Sequence, residues 1–434
     1  MAVKETIFAL STAPGKAGIA IIRTSGPKSF SVAKSLTNQS PLVRKASLCY
    51  LTYNEVVLDQ AITIFFTSGA SFTGEDMVEY HVHGSRAVVA SLLEVLGDGF
   101  GLTVAEPGEF TRRALENGCL DLSQVEGLSY LINSETKEQQ NQSLRVFSGH
   151  LGDKIKEWRS SVLKCITLTE IMIDFSDEDV PQNTVPQIND ELALLRLQLI
   201  NELESYKRSQ IIRDGFDVTI VGKPNVGKSS LLNYLAGSEK AIVSETAGTT
   251  RDLIELKIDL KGFAVNFFDT AGIHNSQDKI ELIGMEKAVT QAKNSNMRIF
   301  LLEPGDNVNG FNIDIKEDDL IFCAKSDCQS YEPYEGISAK TGYGVSVMLS
   351  KIISKFNNLS SYSGSLLTAR HKKAIRTSIS FLESAQIELK RDEVRVELVA
   401  EELRSLISGL DVLVGKIGVE DLLGSIFSSF CIGK

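Results

Sequence analysis

The amino-acid sequence predicts a multidomain α+β and α/β protein: an N-terminal α+β domain, then a helical domain interrupted by an inserted α/β domain. Three observations predict it. Short β-branched runs and an amphipathic helix fill residues 1–118, helix-patterned stretches occupy 119–211 and 357–434, and strand, glycine loop and helix alternate through 212–356. A length of 434 residues also exceeds what one ordinary core accommodates, so two or three domains are expected.

In the first segment, residues 19–23 and 61–66 are apolar and rich in β-branched side chains, and 78–82 alternate, as strands do. Residues 85–96 carry Val88, Val89, Leu92, Leu93 and Leu96 at helical spacing. Between 123 and 173 glycine occurs only at 127, 149 and 152 and proline not at all, so long helices are expected. Ile188, Leu192, Leu195, Leu199 and Leu203 form one stripe between 186 and 209, a core or bundle contact without chemistry. Residues 217–221 read as a buried strand before a glycine loop and a helix from Lys228. After Leu367 the helical pattern returns in Ile375, Ile379 and Leu382, then in Leu398, Leu403, Leu406, Ile407 and Leu410.

Composition is that of a globular protein, 43% hydrophobic and 23% charged. No run of eighteen or so apolar residues offers a membrane span, and no signal segment precedes the first strand, so a cytoplasmic, membrane-free protein is expected. Six scattered cysteines lack zinc spacing and are expected to be reduced. A net charge of −11 argues against a free-standing nucleic-acid binder, so any RNA contact must come from local patches or a partner. Arg370, His371, Lys372 and Lys373 with Arg376 form the dense basic patch, either a solvated helix face or a phosphate contact.

Residues 222–229 fit GxxxxGK[ST]. In such a loop backbone N–H groups converge on phosphate oxygens, here around Asn225, Val226 and Gly227. Lys228 reaches the outer phosphates, the Ser229 hydroxyl ligates Mg²⁺, and Ser230 continues a helix whose N-terminus faces the same anion. About twenty residues on, Gly248, Thr249 and Thr250 lie in a loop where a threonine hydroxyl closes on Mg²⁺ when a γ-phosphate is present. Asp269, Thr270, Ala271 and Gly272 follow an apolar strand; the aspartate holds a metal-bound water and Gly272 can turn its N–H to the γ-phosphate. In Ala324–Lys325–Ser326–Asp327, Asp327 can accept the paired N–H donors of guanine, or be an ordinary loop acid; Ala324 stands where asparagine is usual. Ser338, Ala339 and Lys340 fit the further element whose backbone meets the base. GTP is therefore the expected substrate.

Ile273 occupies the position where Ras-like enzymes carry a water-orienting glutamine, so another group must serve. Asn225 and the oxygens of residues 244–249 could hold a monovalent cation in place of an arginine finger. Glu281 either positions water or is a solvated helix acid.

The chain resembles the MnmE (TrmE) family of tRNA-modifying GTPases over nearly its whole length. The resemblance is carried by residues 6–10, 14–23, 71–79 and 107–113, by Leu-Asp-Leu-Ser-Gln-Val-Glu at 120–126, by the inserted nucleotide motifs and by 401–404 and 420–434 with their terminal Cys-Ile-Gly-Lys. It implies a folate-binding and dimerisation domain at 1–118, a helical domain split between 119–211 and 357–434, and a Ras-like P-loop GTPase domain at 212–356. It further implies a homodimer, potassium-dependent GTP hydrolysis by facing GTPase domains, and a heterotetramer with a flavin-dependent subunit. That pair adds an aminomethyl or carboxymethylaminomethyl group to C5 of the wobble uridine of certain tRNAs, using a folate one-carbon unit (5-formyl- or methylene-tetrahydrofolate). By family position Asn225, Ser244, Thr246 and Thr249 serve K⁺, Ser229 and Thr250 serve Mg²⁺, and Glu281 serves the water. The folate ligands correspond to Arg23, Glu79 and Lys434, with Cys119 where the family usually has lysine. His81 and His83 read as a structural pair or a metal pair, and Cys431 as a packing residue or a nucleophile. Two other readings stay open on the motifs alone: a regulatory switch, and a ribosome-assembly GTPase, which would usually bring a basic appended domain.

Overall fold

The structure, a computed structural model, describes residues 5–40, 42–174, 183–238, 241–242, 256–269, 290–306, 308, 314–327, 334–358, 364–365, 368–415, 424, 427–428, 430 and 432–433. The chain forms two compact units, Met1–Ser129 with Phe147–Leu192 and Ser380–Lys434, and Tyr130–Val146 with Ala193–Ile379.

The first unit holds a six-stranded sheet in the order β3-β4-β5-β2-β1-β6. Its strands are β1 (Ile7–Leu10), β2 (Ala20–Ser25), β3 (Ser47–Tyr53), β4 (Val56–Phe66), β5 (Met77–Val82) and β6 (Thr103–Val104). Helices α1 (Ser29–Thr37) and α2 (Arg86–Glu94) cover one face, where Phe8, Ile22, Val32, Leu36, Tyr80, Leu92 and Leu96 share a core. Because side chains alternate across a strand, burying Ile22 and Tyr80 turns Arg23 and Glu79 to the opposite face. The helix expected over 85–96 ends at Glu94 and passes into a π turn over Val95–Gly99. Helices α3 (Glu109–Glu116), α4 (Leu122–Ile132), α5 (Lys137–Phe147) and α6 (His150–Asp174) follow in the chain, α5 falling in the second unit up to Val146. Within the first unit α6 buries Leu151, Ile155, Trp158 and Val162, and Arg159 on α6 pairs with Asp411 at 2.9 Å.

In the second unit the sheet order is β12-β11-β10-β7-β9-β8. Its strands are β7 (Phe216–Gly222), β8 (Leu256–Leu260), β9 (Phe263–Asp269), β10 (Met297–Leu302), β11 (Leu320–Cys323) and β12 (Glu335–Gly336). All the pairings are parallel except β8 with β9. Parallel strands are covered on both faces, hence the unbroken burial of Met297 to Leu302. Helix α7 spans Thr184–Asp214, longer than expected; Pro186 sits in its first turn, where its missing N–H breaks no helical bond. Helices α8 (Lys228–Ala236) and α9 (Val345–Ser354) pack on the sheet through Leu231, Leu235, Met348 and Ile352. Helices α10 (Ala369–Leu389) and α11 (Val396–Leu413) complete the chain's described helices.

Helix α5 begins beside the nucleotide-domain sheet. Glu138 N donates to Gly262 O at the β8–β9 turn (3.0 Å), Gln139 Nε2 donates to Arg213 O ahead of β7 (3.0 Å), and Lys257 on β8 pairs with Glu135. Both anchors precede strands that run into nucleotide motifs.

Cys49, Cys165 and Cys323 are buried free thiols and Cys119 an exposed one. Burial pushes the Cys165 thiol up to about 12, which makes it inert. Among the described residues no helix is long and apolar enough to cross a membrane, and no group of three potential metal ligands occurs. His81 and His83 go to different carboxylates, Glu79 and Asp59, so they are no metal pair here.

Candidate functional site

The glycine loop joins the C-terminal end of β7 to the N-terminus of α8, the edge at which ligands meet open parallel sheets. Gly222 is required by close approach: a Cβ there would lie 2.8 Å from both Leu301 O and Val226 Cγ1. Val226 is fully buried and pins the loop to the core. Lys228 is buried, its Nζ donating to Gly222 O at 2.9 Å and Lys223 O at 3.0 Å, so the ammonium is held over the loop.

Ser229 Oγ donates to Asp269 Oδ2 at 2.9 Å, while Asp269 Oδ1 is buried with no hydrogen-bond partner among the described residues. A buried, unpartnered carboxylate oxygen is costly unless something else satisfies it. Beside a serine hydroxyl at a helix N-terminus, this is the hard-oxygen donor set that Mg²⁺ and its waters take. The residues fit that ion.

A cavity of about 220 Å³ opens from this loop. Asn225, Val226, Gly227 and Ser230 line one end; Ala324, Lys325, Asp327, Ser338, Ala339 and Lys340 line the other. Asp327 Oδ1 accepts the Ser338 hydroxyl at 2.8 Å, and Ser326 N donates to Ile337 O at 3.2 Å, so the two loops are zipped together. Ala324 is buried, its N–H used by Leu302 O, and its methyl offers no polar replacement for asparagine. The structure thus brings nine of the sequence-predicted residues to one cavity, and Lys228 and Ser229 follow its Gly227 directly in the chain, with Asp269 bonded to Ser229. Ser244, Thr246, Gly248, Thr249, Thr250, Thr270, Ala271, Gly272 and Glu281 lie outside the described residues. Sequence reasoning missed Glu303 and Asp306, just beyond β10, which hold Lys325 (2.7 Å) and Lys223. No spacing signal marks them.

On the face of the first sheet opposite α1 and α2, Arg23 and Glu79 are direct cross-strand neighbours. Arg23 Nε and Nη2 both reach Glu79 Oε1 at 2.8 Å, and His81 Nε2 lies 3.1 Å from Glu79 Oε2. Arg23 also sits 5.8 Å from the centre of the Phe72 ring. A carboxylate has about four lone-pair positions, so capacity remains for a paired N–H donor from a pterin edge. These residues fit a folate ring. Cys119 is exposed, and a thiol brings no positive charge for folate's carboxylates. Residues 71–79 are fixed by a network in which Ser25 Oγ and Arg113 Nη1 both donate to Glu75, at 2.8 and 2.9 Å. The C-terminal tail reaches this unit's β1: a Cβ on Gly433, whose φ is +94°, would lie 2.2 Å from Leu10 O. Lys434 and Cys431 are outside the described residues. An apolar cavity of about 740 Å³ beside Ile432 is lined by neither Arg23 nor Glu79.

Two family models match the chain, that of the MnmE helical domain over residues 122–431 and that of the GTP-binding protein TrmE N-terminus over 6–119. The chain is similar to the tRNA modification GTPase MnmE of Cereibacter sphaeroides, 47% identical over 99% of this chain and 100% of that one. It is 42% identical to that of Parvibaculum lavamentivorans at the same coverage. Among solved structures, Era of Aquifex aeolicus bound to GDP and AlF4⁻ is 25% identical over 32% of this chain and 56% of its own, with a TM-score of 0.26.

Proposed function

The chain belongs to the MnmE (TrmE) family of tRNA modification GTPases, and we propose that it hydrolyses GTP in a potassium-dependent way to drive modification of the wobble uridine of certain tRNAs. The observation that carries the GTPase half is that the Asn225–Gly227 loop and Ser230, which flank Lys228 and the Asp269-bonded Ser229, line the same cavity as Asp327 and Ser338. In this reading the GTPase domain is 212–356, the folate and dimerisation domain 1–118, and the helical domain 119–211 with 357–434.

Lys228 turns from its loop carbonyls to the outer phosphates, and the α8 N-terminus faces the same charge. Ser229, Asp269 and Thr250 hold Mg²⁺, and Asn225, Ser244, Thr246 and Thr249 hold K⁺, with Glu281 orienting the water. When bound, the two cations neutralise charge that develops on the phosphates. Arg23, Glu79 and Lys434 hold the tetrahydrofolate, which supplies the one-carbon unit. A homodimer, assembled with a flavin-dependent subunit in the cytoplasm, carries out the modification.

Turnover tests the reading. Rapid hydrolysis by purified dimer in K⁺ and its loss in Na⁺ are expected; slow turnover awaiting an external activator would favour a signalling switch instead. Mass spectrometry of wobble uridine in a strain lacking the gene tests the pathway, and unchanged modification would remove it.

Base choice has its own test. Asp327→Asn replaces one of two acceptors with a donor, so GTP binding weakens by at least about a hundredfold, from the loss of charge-assisted bonds worth about 1.5–3 kcal/mol each. The same variant gains xanthosine triphosphate binding, because xanthine carries a carbonyl where guanine carries its amino group. Equal GTP affinity by equilibrium titration would make Asp327 an ordinary loop acid. At the other site, Glu79→Gln is expected to lower 5-formyl-tetrahydrofolate affinity at least about tenfold with GTP turnover unchanged. Unaltered folate binding in that variant excludes Glu79 as a ligand.

A further inference from the structure

We infer that the basic N-terminal half of α10, with the adjoining turn of α7, is a docking surface for the phosphate backbone of tRNA. The identity of the RNA rests on the tRNA-modification reading above; the surface itself rests on charge and geometry. From Ala369 to Leu382, α10 carries Arg370, Lys372, Lys373 and Arg376 and no acid, in a chain whose net charge is −11. Its inner side is fixed by His371, Ala374, Ile375 and Ser378, all buried, which turns Lys373 and Arg376 to solvent. Lys372 Nζ lies 5.0 Å from the centre of the Tyr206 ring, so the α7 turn bearing the exposed Lys207 runs alongside.

Lys207, Lys373 and Arg376 make no ion pair among the described residues. Glu204 is the exposed acid of the neighbouring α7 turn, and Glu202 is buried, accepting from Ser365 N. A helix face that is merely solvated interleaves acids at i,i+4; a face of like charge is self-repelling and gains by meeting phosphates.

The test uses full-length protein with Lys373→Glu/Arg376→Glu, alone and with Lys207→Glu, and deacylated tRNA as the probe. Expected are at least a tenfold loss of tRNA affinity and a shallower dependence of log K on log salt between roughly 50 and 200 mM, by about one unit per cation removed. GTP turnover stays at the wild-type level, which shows that the variants fold. Lys373→Gln/Arg376→Gln falls between. Unchanged affinity and salt slope overturn the surface, as does a variant that keeps tRNA but loses an acidic protein partner. Loss of modification in the gene-deletion strain with tRNA binding intact in the variants overturns the surface alone, whereas normal modification in that strain overturns the parent reading.

Discussion

Asp269→Asn is expected to lower GTP turnover by about 10²–10³-fold, the loss typical of removing one preorganised electrostatic contact, about 2.7–4 kcal/mol. The residue stands at the C-terminal end of β9, with Oδ2 taking the Ser229 hydroxyl and Oδ1 buried with no partner among the described residues. Asparagine keeps the shape and still accepts from Ser229. Its amide NH2 then presents a donor where the carboxylate would offer charge to the ion. Half-saturating Mg²⁺ should therefore rise together with the fall in turnover. Stability separates this role from a structural one. Replacing the buried carboxylate by a neutral amide removes the cost of desolvating a charge, so the variant's melting temperature should equal or exceed that of the parent. A variant that melts much lower and loses turnover in proportion would show that Asp269 holds the fold rather than the chemistry.

The phosphate loop was legible because its meaning is local: a strand, eight residues of fixed spacing and a helix start, all contiguous from Phe216 to Ala236. Asp327 and Ser338, eleven positions apart, were each readable as motif members, but their hydrogen bond depends on β11 and β12 lying side by side. The Arg23–Glu79 pairing was further from reach. The two residues are 56 positions apart, and only the sheet order, which sets β2 beside β5 in antiparallel register, makes them neighbours. Periodicity can say that both leave the core face; it cannot say which strands pair.

The basic run on α10 shows a subtler limit. His371, Ala374, Ile375 and Ser378 follow helical spacing, so the buried stripe was present in the sequence, yet three flanking cations concealed that the histidine belongs to it. A similar ambiguity governs the helical segments. Residues 130–146 have the same texture as their neighbours, but pack with Ala193–Ile379 through backbone contacts such as Glu138 N to Gly262 O, which no side-chain pattern announces.

The largest stability effect is expected from Arg298→Met. Arg298 is the second residue of β10, with 2% of its side chain exposed, and Asp319 is equally buried. Arg298 Nε donates to Asp319 Oδ1 at 2.9 Å, Nη2 to Oδ2 at 2.5 Å, and Nη2 also to Asp314 O at 2.6 Å. Removing only the cation leaves a buried carboxylate uncompensated, which costs about 3–5 kcal/mol. In a domain of this size that lowers the melting temperature by roughly 2–4 °C per kcal/mol, read as the transition of the nucleotide-binding domain by calorimetry. Replacing both partners, Arg298→Met with Asp319→Leu, should recover part of the loss, because an apolar pair fills the site without desolvated charge. Recovery is incomplete, since Asp319 also accepts from Lys316 N at 2.6 Å and caps that turn. β10 and β11 end at Leu302 and Cys323, beside the loops that line the cavity of about 220 Å³, so on the proposed reading a nucleotide there would stabilise the same folded unit as the pair. GTP at about a thousand times its Kd adds about 4 kcal/mol to the folded state by mass action and should largely restore the single variant's transition. A single variant that melts like the parent would mean that Asp319 finds water or another cation, and the pair would then be no keystone of the sheet.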